Sequence, residues 1–214
     1  MSSVAVIDYG MGNLHSIAKA LQHADPKAQV LVTAESREML RADRVVFPGV
    51  GAIRDCMGAL AERGLTQVVR QLATTKPFMG ICLGMQALLD ESEENDQTPC
   101  LGLLPGKVLR FADRLTDNAG KLLKIPHMGW NRLHQSFEHP LWCKIPQESW
   151  FYFVHSYYVQ PTHPEHIAAT TDYPTPFAAA LLSENLFAVQ FHPEKSQSAG
   201  LRLLANFLEW DPHK

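Results

Sequence analysis

A sharp turn around Cys82, from strand into helix, constrains the fold of this chain more than any other feature. Residues 77–81 form a short apolar run typical of a buried strand, and apolar side chains recur with helical spacing after Gly84. Cys82 lies at the corner, with Gly80 two residues before it and Gly84 two residues after it. This Gly-x-Cys-x-Gly pattern predicts a nucleophile elbow in which cysteine replaces serine.

The residues around Cys82 have a physical reason to be small. Side chains at the flanking positions would keep strand and helix apart, and glycine also tolerates a strained backbone. The amides that begin a helix stabilise a negative charge such as a thiolate. A buried structural cysteine is the alternative interpretation, so a catalytic role requires a base elsewhere in the chain.

Strand and helix alternate through the first 90 residues. Apolar runs predict strands over 4–7, 29–33 and 44–47 before the elbow strand. Helical spacing predicts helices that begin at Leu14 and near Ser36 and that cover 54–62 and 66–73. This alternation predicts an α/β fold whose mostly parallel central sheet carries helices on both faces.

The pattern changes after residue 90. The acidic stretch 91–98 predicts an exposed loop, and a run of short strand candidates predicts a smaller antiparallel extension of the sheet. These candidates are 107–111, 121–125, 150–154, 167–171, 177–182 and 186–191, with turns at 113–120 and 183–185. A last helix over 196–208 would bury Leu201, Leu204, Phe207 and Leu208. No repeat or linker interrupts the chain, so we expect one domain over 1–214.

Bulk properties exclude several classes of function. The net charge of −3 and the lack of a basic stripe argue against nucleic-acid binding. No apolar run approaches the roughly 18 residues that cross a bilayer, and the chain opens without a leader, so we expect a cytoplasmic protein. The four cysteines are widely spaced and form no CxxC pair, which favours reduced thiols. No metal-ligand spacing occurs, and we expect neither a metal nor a cofactor.

The candidate base lies in the segment Phe191-His192-Pro193-Glu194. On an extended chain, residues i and i+2 project to the same face, so His192 and Glu194 can both point at one site. His192 can accept a thiol proton while the Glu194 carboxylate orients its ring. Pro193 cannot continue a central strand, which places the pair at a strand end. A solvated His-Glu pair is the alternative interpretation.

An oxyanion hole has candidates on two neighbouring loops. Acyl transfer needs backbone N–H groups directed at the developing negative charge. The amide of Leu83 follows the nucleophile, and Val50 or Gly51, after the third strand, would supply the second donor. A tight strand-to-helix turn explains the same glycines equally well.

A glycine pair after the first strand allows a second kind of site. Gly10 and Gly12 suggest a dinucleotide site, with Glu35 as a ribose ligand. The third glycine position is His15, however, and this interpretation leaves the elbow and the His-x-Glu segment unexplained.

Together these motifs resemble those of the class I, triad-type glutamine amidotransferases, in which a Cys, a His and a Glu follow in this order. Three further stretches resemble those of the glutaminase subunits of imidazole glycerol phosphate synthases. They are Asp8–Ser16, Pro126–Asn131 and Tyr152–Tyr157. The resemblance covers residues 4–208 and departs only in linking stretches, at 91–98, at Cys100 and at 111–120. It implies a flavodoxin-like sheet.

The resemblance also implies residue roles. Cys82, His192 and Glu194 would form the catalytic triad of a glutaminase. Glutamine would be bound by Gly49, by Gln86 and by the backbone near Ser156 and Tyr157. Candidates for a partner interface are Asn13, Met128, Trp130 and Lys195. Trp130 could instead be a core aromatic residue, and Lys195 could be a solvated charge.

The resemblance implies a partner as well. A 214-residue glutaminase domain leaves no room for a domain that uses the ammonia, and free ammonia protonates in water. The family partner is a (β/α)8-barrel cyclase, which forms a heterodimer with the glutaminase. The pair makes imidazole glycerol phosphate and aminoimidazole carboxamide ribotide in histidine biosynthesis, and the whole is a lyase-type synthase.

Two alternatives remain open at this point. The chain could be a glutaminase for another acceptor, as in anthranilate synthase or GMP synthetase, or a free-standing γ-glutamyl hydrolase. It could also be a non-catalytic binding module built on the same scaffold. The stretches Pro126–Asn131 and Tyr152–Tyr157 argue against the first, and an intact triad argues against the second.

Overall fold

The computed structural model describes residues 2–117 and 120–213, which form strands, six α-helices and short 3-10 turns. The strands are β1 (Ser3–Ile7), β2 (Gln29–Thr33), β3 (Arg44–Gly49), β4 (Phe78–Cys82), β5 (Glu91–Ser92), β6 (Thr98–Pro99), β7 (Gly106–Arg110), β8 (His127–Gln135), β9 (Ser149–His155), β10 (Tyr157–Pro161), β11 (Ile167–Asp172), β12 (Pro176–Ser183) and β13 (Leu186–Val189). The helices are α1 (Leu14–Ala24), α2 (Ser36–Arg41), α3 (Ile53–Glu62), α4 (Thr66–Thr75), α5 (Leu83–Gln86) and α6 (Gln197–Glu209). None of the helices in this part of the chain has the length and apolar character needed to cross a membrane.

One mixed sheet organises the molecule. Its parallel part has the strand order β2-β1-β3-β4-β13. Beyond β13 the strands β12, β10 and β7 continue it in antiparallel fashion, and β5 and β6 complete that edge. Strand β11 branches from β12 and leads to β8, which pairs with β9. The predicted α/β sheet with an antiparallel extension is confirmed.

Two hydrophobic cores cover the two faces of the parallel strands. Alternate residues of β1 enter different cores: Val4 and Val6 pack with α1 and α6, whereas Ala5 and Ile7 pack with α2, α3 and α4. A parallel strand buried on both faces has to be apolar throughout. This explains why the first half of the sequence reads so clearly as alternating strands and helices.

The strand predictions are less accurate in the second half. The predicted strand over 121–125 is absent, and a single bridge between Thr116 and Leu122 stands in that region. Strands β8 and β10 were not predicted. β8 alternates buried and exposed positions only partly and carries polar side chains, so its sequence lacks an apolar signal. In the predicted turn 113–120, residues 118 and 119 lie outside the described residues.

The acidic stretch 91–98 is not the exposed loop that was predicted. It begins with β5 and ends at β6, two short strands that pair with each other, and it buries Ser92 and Thr98. The carboxylate of Glu94 accepts a hydrogen bond of 2.8 Å from the backbone N–H of Ile53. The charged composition of this stretch suggested a loop, but the stretch forms a hairpin that packs beside α3.

The last helix, α6, confirms the prediction in outline. Leu204, Phe207 and Leu208 are buried as expected. Leu201 was also predicted to be buried but is only partly so, and Leu203, which was not predicted, is buried in the core instead.

Candidate active site

Cys82 has the strained backbone that an elbow requires. Its φ of 55° and ψ of −110° place a non-glycine residue at positive φ, where functional strain is often found. A Cβ atom added at Gly80 would lie 3.0 Å from the carbonyl oxygen of Gly84 and 3.2 Å from Cβ of Ala188. A Cβ atom at Gly84 would lie 1.9 Å from the carbonyl oxygen of Phe47, so both flanking glycines are needed for close packing, as the sequence indicated.

The helix after the elbow is shorter than predicted. α5 contains only the single turn 83–86, and the chain then continues as irregular turns. One turn has a negligible macrodipole, so stabilisation of a thiolate here depends on individual N–H groups at the start of the turn.

His192 and Glu194 form a buried pair. Nδ1 of His192 lies 2.9 Å from Oε1 of Glu194, and the two side chains are only 4% and 3% exposed. The solvated pair considered as an alternative is therefore excluded. The local geometry also differs from the prediction, because β13 ends at Val189 and Pro193–Lys195 is a 3-10 turn instead of an extended chain.

The charge on His192 is stabilised from both ends of its ring. Burial alone would lower the pKa of His192, but the Cys82 sulfur and the Glu194 carboxylate outweigh it and raise that pKa well above its usual value. Nε2 is buried and makes no hydrogen bond within the described residues, yet Cys82 lies close enough to stabilise the charged ring. The arrangement favours a protonated His192 ring, an imidazolium, next to Cys82.

The backbone of His192 is fixed to strand β9. Its N–H donates to the carbonyl oxygen of Tyr152 at 2.9 Å. The Ser196 hydroxyl donates to the carbonyl oxygen of His192 at 2.7 Å and accepts from the N–H of Tyr152 at 3.0 Å. One direct hydrogen bond and one bridge through the Ser196 hydroxyl therefore hold the backbone of the candidate base on Tyr152 of β9.

A cavity of about 330 Å³ brings most of the predicted site residues together. It lies where β3 and β4 end, at the carboxyl edge typical of α/β sites. Its lining residues are Val50, Gly51, Cys82, Leu83, Gln86, Glu94, Pro126, Val154, His155, Ser156, Tyr157, His192 and Lys195. A larger cavity of about 910 Å³, next to Trp130, Trp150 and the start of α6, contains no member of the candidate triad.

The two candidate oxyanion loops meet beside Cys82. Gly49 pairs in register with Cys82, and a Cβ atom at position 49 would lie 2.8 Å from Cβ of Leu83. Gly51 has a φ of +93°, which side chains rarely tolerate, and Val50 is 40% exposed. Leu83 begins a helical turn, so its N–H has no partner within that turn.

The predicted glutamine-binding residues are already linked to each other. The Gln86 amide nitrogen donates to the carbonyl oxygen of Tyr157 at 3.0 Å, and Nδ1 of His155 donates to the same oxygen at 2.8 Å. Two donors occupy both lone pairs of that carbonyl, so it cannot also receive the α-ammonium group of glutamine. The hydrogen bond to Tyr157 uses the amide nitrogen of Gln86 and not its Oε1, and Gln86 also lines the cavity.

Three site residues escaped the sequence analysis. Gln190 is fully buried with its amide nitrogen 3.7 Å from Sγ of Cys82. The i, i+2 argument applied to His192 and Glu194 would have included it. His155 precedes Ser156 within a stretch already recognised, whereas Glu94 lay in a segment predicted to be solvated.

The interface candidates lie on an exposed apolar surface. Met128 and Trp130 are 62% and 42% exposed, which excludes Trp130 as a core residue. We name as the aromatic strip the cross-strand pairs that share this face of β8 and β9: Met128 with Val154, Trp130 with Tyr152, and Arg132 with Trp150. Nζ of Lys195 lies 5.7 Å from the centre of the Tyr152 ring, next to the strip, whereas Asn13 is exposed beside Pro48 in a separate recess.

No group of three or more His, Cys, Asp or Glu residues that could hold a metal ion occurs in the described ranges. The chemistry available at the site is that of a cysteine nucleophile beside a buried base, with N–H groups nearby. Such a site suits acyl transfer through a thioester.

Comparison with known proteins identifies the class. The family model for "Glutamine amidotransferase class-I" matches residues 5–210, and the chain belongs to this family. A curated relative from Methylococcus capsulatus, imidazole glycerol phosphate synthase subunit HisH, is 71% identical over 99% of this chain and 98% of its own length. The HisH subunit of Nitrosococcus oceani is 59% identical over 99% of both chains.

The fold is also found in solved structures. A chain of PurLQS from Thermotoga maritima superposes with a TM-score of 0.72 at 18% identity, covering 97% of this chain and 98% of that one. Identity this low supports the likeness of fold alone. The resemblance to class I glutamine amidotransferases seen in the sequence is thus confirmed by the family model and the curated relatives.

Proposed function

We propose that this chain is the glutaminase subunit of an imidazole glycerol phosphate synthase. The observation that carries the proposal is the buried His192–Glu194 pair beside Cys82, at the end of a cavity that also contains Leu83 and Gly51. The curated relatives that share more than half of its residues over nearly their whole length are named as that subunit. A retired binding module would have no need to keep a charged pair buried at this cost.

In this proposal Cys82 attacks the side-chain carboxamide carbon of glutamine. The thiolate forms a C–S bond, and the carbonyl oxygen becomes an oxyanion that the amides of Leu83 and of Val50 or Gly51 would receive. Losing one such donor typically costs about 10²–10³ in rate. Gly49 keeps the two loops close together because no side chain fits between it and Leu83.

His192 then transfers the protons. The imidazolium gives its Nε2 proton to the departing nitrogen, which leaves as ammonia, and a γ-glutamyl thioester remains on Cys82. The neutral ring next accepts a proton from water, which attacks the thioester and releases glutamate. Glu194 keeps Nδ1 as the donor to its carboxylate throughout, so Nε2 alone exchanges protons with the substrate.

The contacts of bound glutamine follow from the groups that remain free. The α-ammonium group would meet Oε1 of Gln86 and the carboxylate of Glu94, both of which line the cavity. The α-carboxylate would meet N–H groups near Ser156 and Tyr157. The carbonyl oxygen of Tyr157 takes no part, since two protein donors already occupy it.

The ammonia would pass to a partner subunit, a (β/α)8-barrel cyclase, in a heterodimer. The aromatic strip is suited to such a contact because exposed Trp and Met residues are enriched in interfaces. Lys195 contacts the strip and also lines the cavity, because its Nζ lies 5.7 Å from the centre of the Tyr152 ring. Asn13, in the recess beside Pro48, is the remaining interface candidate. A partner docked here would enclose the released ammonia.

The loop 48–51 would couple the two activities. Its peptide between Gly49 and Val50 or between Val50 and Gly51 could direct an amide into the site only when the cyclase holds its ligand. Val50 is exposed and Gly51 has a positive φ, so neither residue locks the loop by side-chain packing. Equal glutaminase rates with and without the cyclase ligand would contradict this coupling.

The decisive test is Cys82→Ala in the reconstituted pair. This variant should lose synthesis that depends on glutamine while it keeps synthesis from added ammonium salts, because only the ammonia supply is removed. Retention of glutamine-dependent activity would refute the thioester mechanism. Co-purification with an ammonia-using synthase of another kind would refute the assignment of the partner.

The proposal also places the protein in the cytoplasm and treats the whole chain as one glutaminase domain. Cell fractionation tests the first statement. Limited proteolysis tests the second, since one domain should resist cleavage within residues 5–210, the range of the family match.

A further inference from the structure

The amide side chain of Gln190 is a buried polar group beside Cys82 that the mechanism above does not use. Gln190 is 0% exposed and follows directly after β13. Its Nε2 lies 3.7 Å from Sγ of Cys82, within the range of an N–H···S hydrogen bond. A buried amide needs partners for both ends, so its orientation can be worked out from its neighbours.

The orientation of Gln190 is determined by a chain of hydrogen bonds that begins at a backbone carbonyl. The carbonyl oxygen of Tyr157 can only accept, so the Gln86 group beside it at 3.0 Å has to be the amide nitrogen. The same nitrogen lies 3.1 Å from the side chain of Gln190, which must therefore present its oxygen. The other end of Gln190, its amide nitrogen, then faces Cys82.

The carbonyl oxygen of Tyr157, at which this series of hydrogen bonds begins, is itself held in place. Nδ1 of His155 also donates to the carbonyl oxygen of Tyr157, which leaves Nε2 of His155 as an acceptor. Nδ1 of His127 lies 2.9 Å from that Nε2 and supplies the hydrogen, while its own Nε2 lies 3.2 Å from the amide nitrogen of Asn131. Every member of the network thus has one consistent direction.

We propose that Gln190 is a catalytic residue that donates a hydrogen bond to the sulfur of Cys82. This inference rests on the proposed function and adds one residue to its site. A hydrogen bond to a charged acceptor stabilises the charge, so the N–H favours the thiolate over the thiol in the resting enzyme. The same bond stabilises the sulfur when the thioester is hydrolysed and the C–S bond breaks.

A purely structural role makes a different prediction. If Gln190 served only to hold Gln86, any side chain that accepts the Gln86 hydrogen bond would replace it. Gln190→Glu keeps the size and that acceptor but presents a carboxylate oxygen to Cys82. Gln190→Met keeps the approximate volume and removes both hydrogen bonds. The two variants therefore separate the donor role from the anchoring role.

The test measures how fast Cys82 reacts with iodoacetamide at pH 6 and at pH 9, without glutamine or partner. Cys143→Ser serves as the parent because Cys143 is exposed and would react. Cys82 can be reached through the cavity that it lines, whereas burial raises the pKa of Cys56 and of Cys100 to about 12 and keeps both thiols unreactive. We expect Gln190→Met to react about tenfold more slowly than the parent at pH 6, the loss of one hydrogen bond to a charge. At pH 9, where thiols ionise without help, the rates should agree within about twofold.

Gln190→Glu should react at pH 6 at least as slowly as Gln190→Met, and it should lose glutaminase kcat even though Gln86 stays anchored. A Gln190→Glu variant that matches the parent at pH 6 would overturn the proposal, as would equal slowing at both pH values. Thermal unfolding checks that each variant folds. If Gln190→Met does not fold, the alkylation rates of Gln190→Glu alone decide whether Gln190 acts as a donor to Cys82. Because alkylation needs neither glutamine nor a cyclase, its outcome is independent of the choice of partner.

Discussion

The backbone of Gly84 lies directly against the carbonyl group of Phe47: a Cβ atom at position 84 would lie 1.9 Å from the carbonyl oxygen of Phe47. This contact joins the turn after the nucleophile to strand β3, which leads into the candidate oxyanion loop. It therefore sets the distance between the two groups of N–H donors that the proposed reaction needs.

Replacing Gly84 should disrupt the elbow. Gly84→Ala forces two backbone segments apart, and we expect it to lower the free energy of unfolding by about 3 kcal/mol, at the upper end of overpacking costs. Urea denaturation measures the loss. The control is Gly58→Ala in α3, where the added Cβ has no described neighbour within 4 Å apart from adjacent residues and the nearby backbone of its own helix. The higher helix propensity should stabilise this variant by up to about 1 kcal/mol. Equal effects of the two substitutions would contradict the packing argument.

Removing the charge of Glu194 should impair catalysis more than folding. Glu194→Gln keeps an oxygen that can accept from Nδ1 of His192 but no longer stabilises the imidazolium, so the raised pKa of His192 should fall towards its usual value. We expect kcat/KM for glutamine to drop about 10²-fold or more, by analogy with other orienting carboxylates. Steady-state assays of the reconstituted pair measure it, and NMR titration of the His192 ring checks the cause. A change in kcat/KM smaller than about threefold would show that Glu194 does not orient the base.

The buried and hydrogen-bonded pair His127 and His155 should make the fold less stable at acidic pH. Burial lowers the pKa of His127 to about 4 and that of His155 to about 3. Unfolded histidines titrate near 6.5, so the unfolded chain binds more protons than the folded one as the pH falls below that value. Each of the two histidines should therefore cost about 2 kcal/mol of stability between pH 7 and pH 5.

Urea denaturation at both pH values tests the acid sensitivity through His127→Asn. This variant keeps an N–H at the position of Nδ1 and removes one titrating ring. Its loss of stability between pH 7 and pH 5 should be smaller than that of the parent by about 2 kcal/mol. Identical losses in the two proteins would show that His127 binds a proton readily in the folded state.

The aromatic strip should matter for association and little for folding. Trp130 is exposed and packs edge-on against Tyr152 with ring centres 5.9 Å apart. If the proposed cyclase partner binds the strip, Trp130→Ala should weaken its binding by about 2 kcal/mol, as expected for an aromatic residue at the centre of an interface. The free energy of unfolding of the isolated chain should change by less than about 1 kcal/mol.

Isothermal titration calorimetry measures this affinity. The control is Phe137→Ala, which removes an aromatic side chain of similar exposure, 39%, outside the strip. It should bind the cyclase like the parent. Equal weakening by both substitutions would place the interface elsewhere.

The candidate triad could be predicted because each member has a local signature. Any nucleophile elbow needs glycine close to the nucleophile because strand and turn pack too closely for a side chain there. The order of Cys, His and Glu is visible in the sequence. The reason given for the contact between His192 and Glu194 was nevertheless wrong in detail. The two residues meet across a 3-10 turn and not along an extended strand. Two residues only two positions apart can bring their side chains together in either backbone conformation.

Parallel strands buried on both faces were also predictable, since burial on two sides requires continuous apolar runs. Strand β8 was not, because its side chains divide between an aromatic core beneath and an exposed strip above, and several of the inner ones are polar. His127 is buried because Phe153 and Tyr173 stack on its ring, and Tyr173 lies in a distant segment. Local periodicity contains no information about such neighbours.

Residue order and local spacing were sufficient to predict the candidate nucleophile and its candidate base, the alternating fold and the family resemblance, because each depends on residues within a few positions of one another. Tertiary structure decided the direction of the Gln190 amide, the exposure of Trp130 and the pairing of residues 91–98 into a hairpin with Ser92 and Thr98 buried. These features depend on partners that lie far away in the chain, such as Cys82 for Gln190 and Ile53 for Glu94. A polar side chain has no inherent burial or orientation; the segments that fold around it supply both.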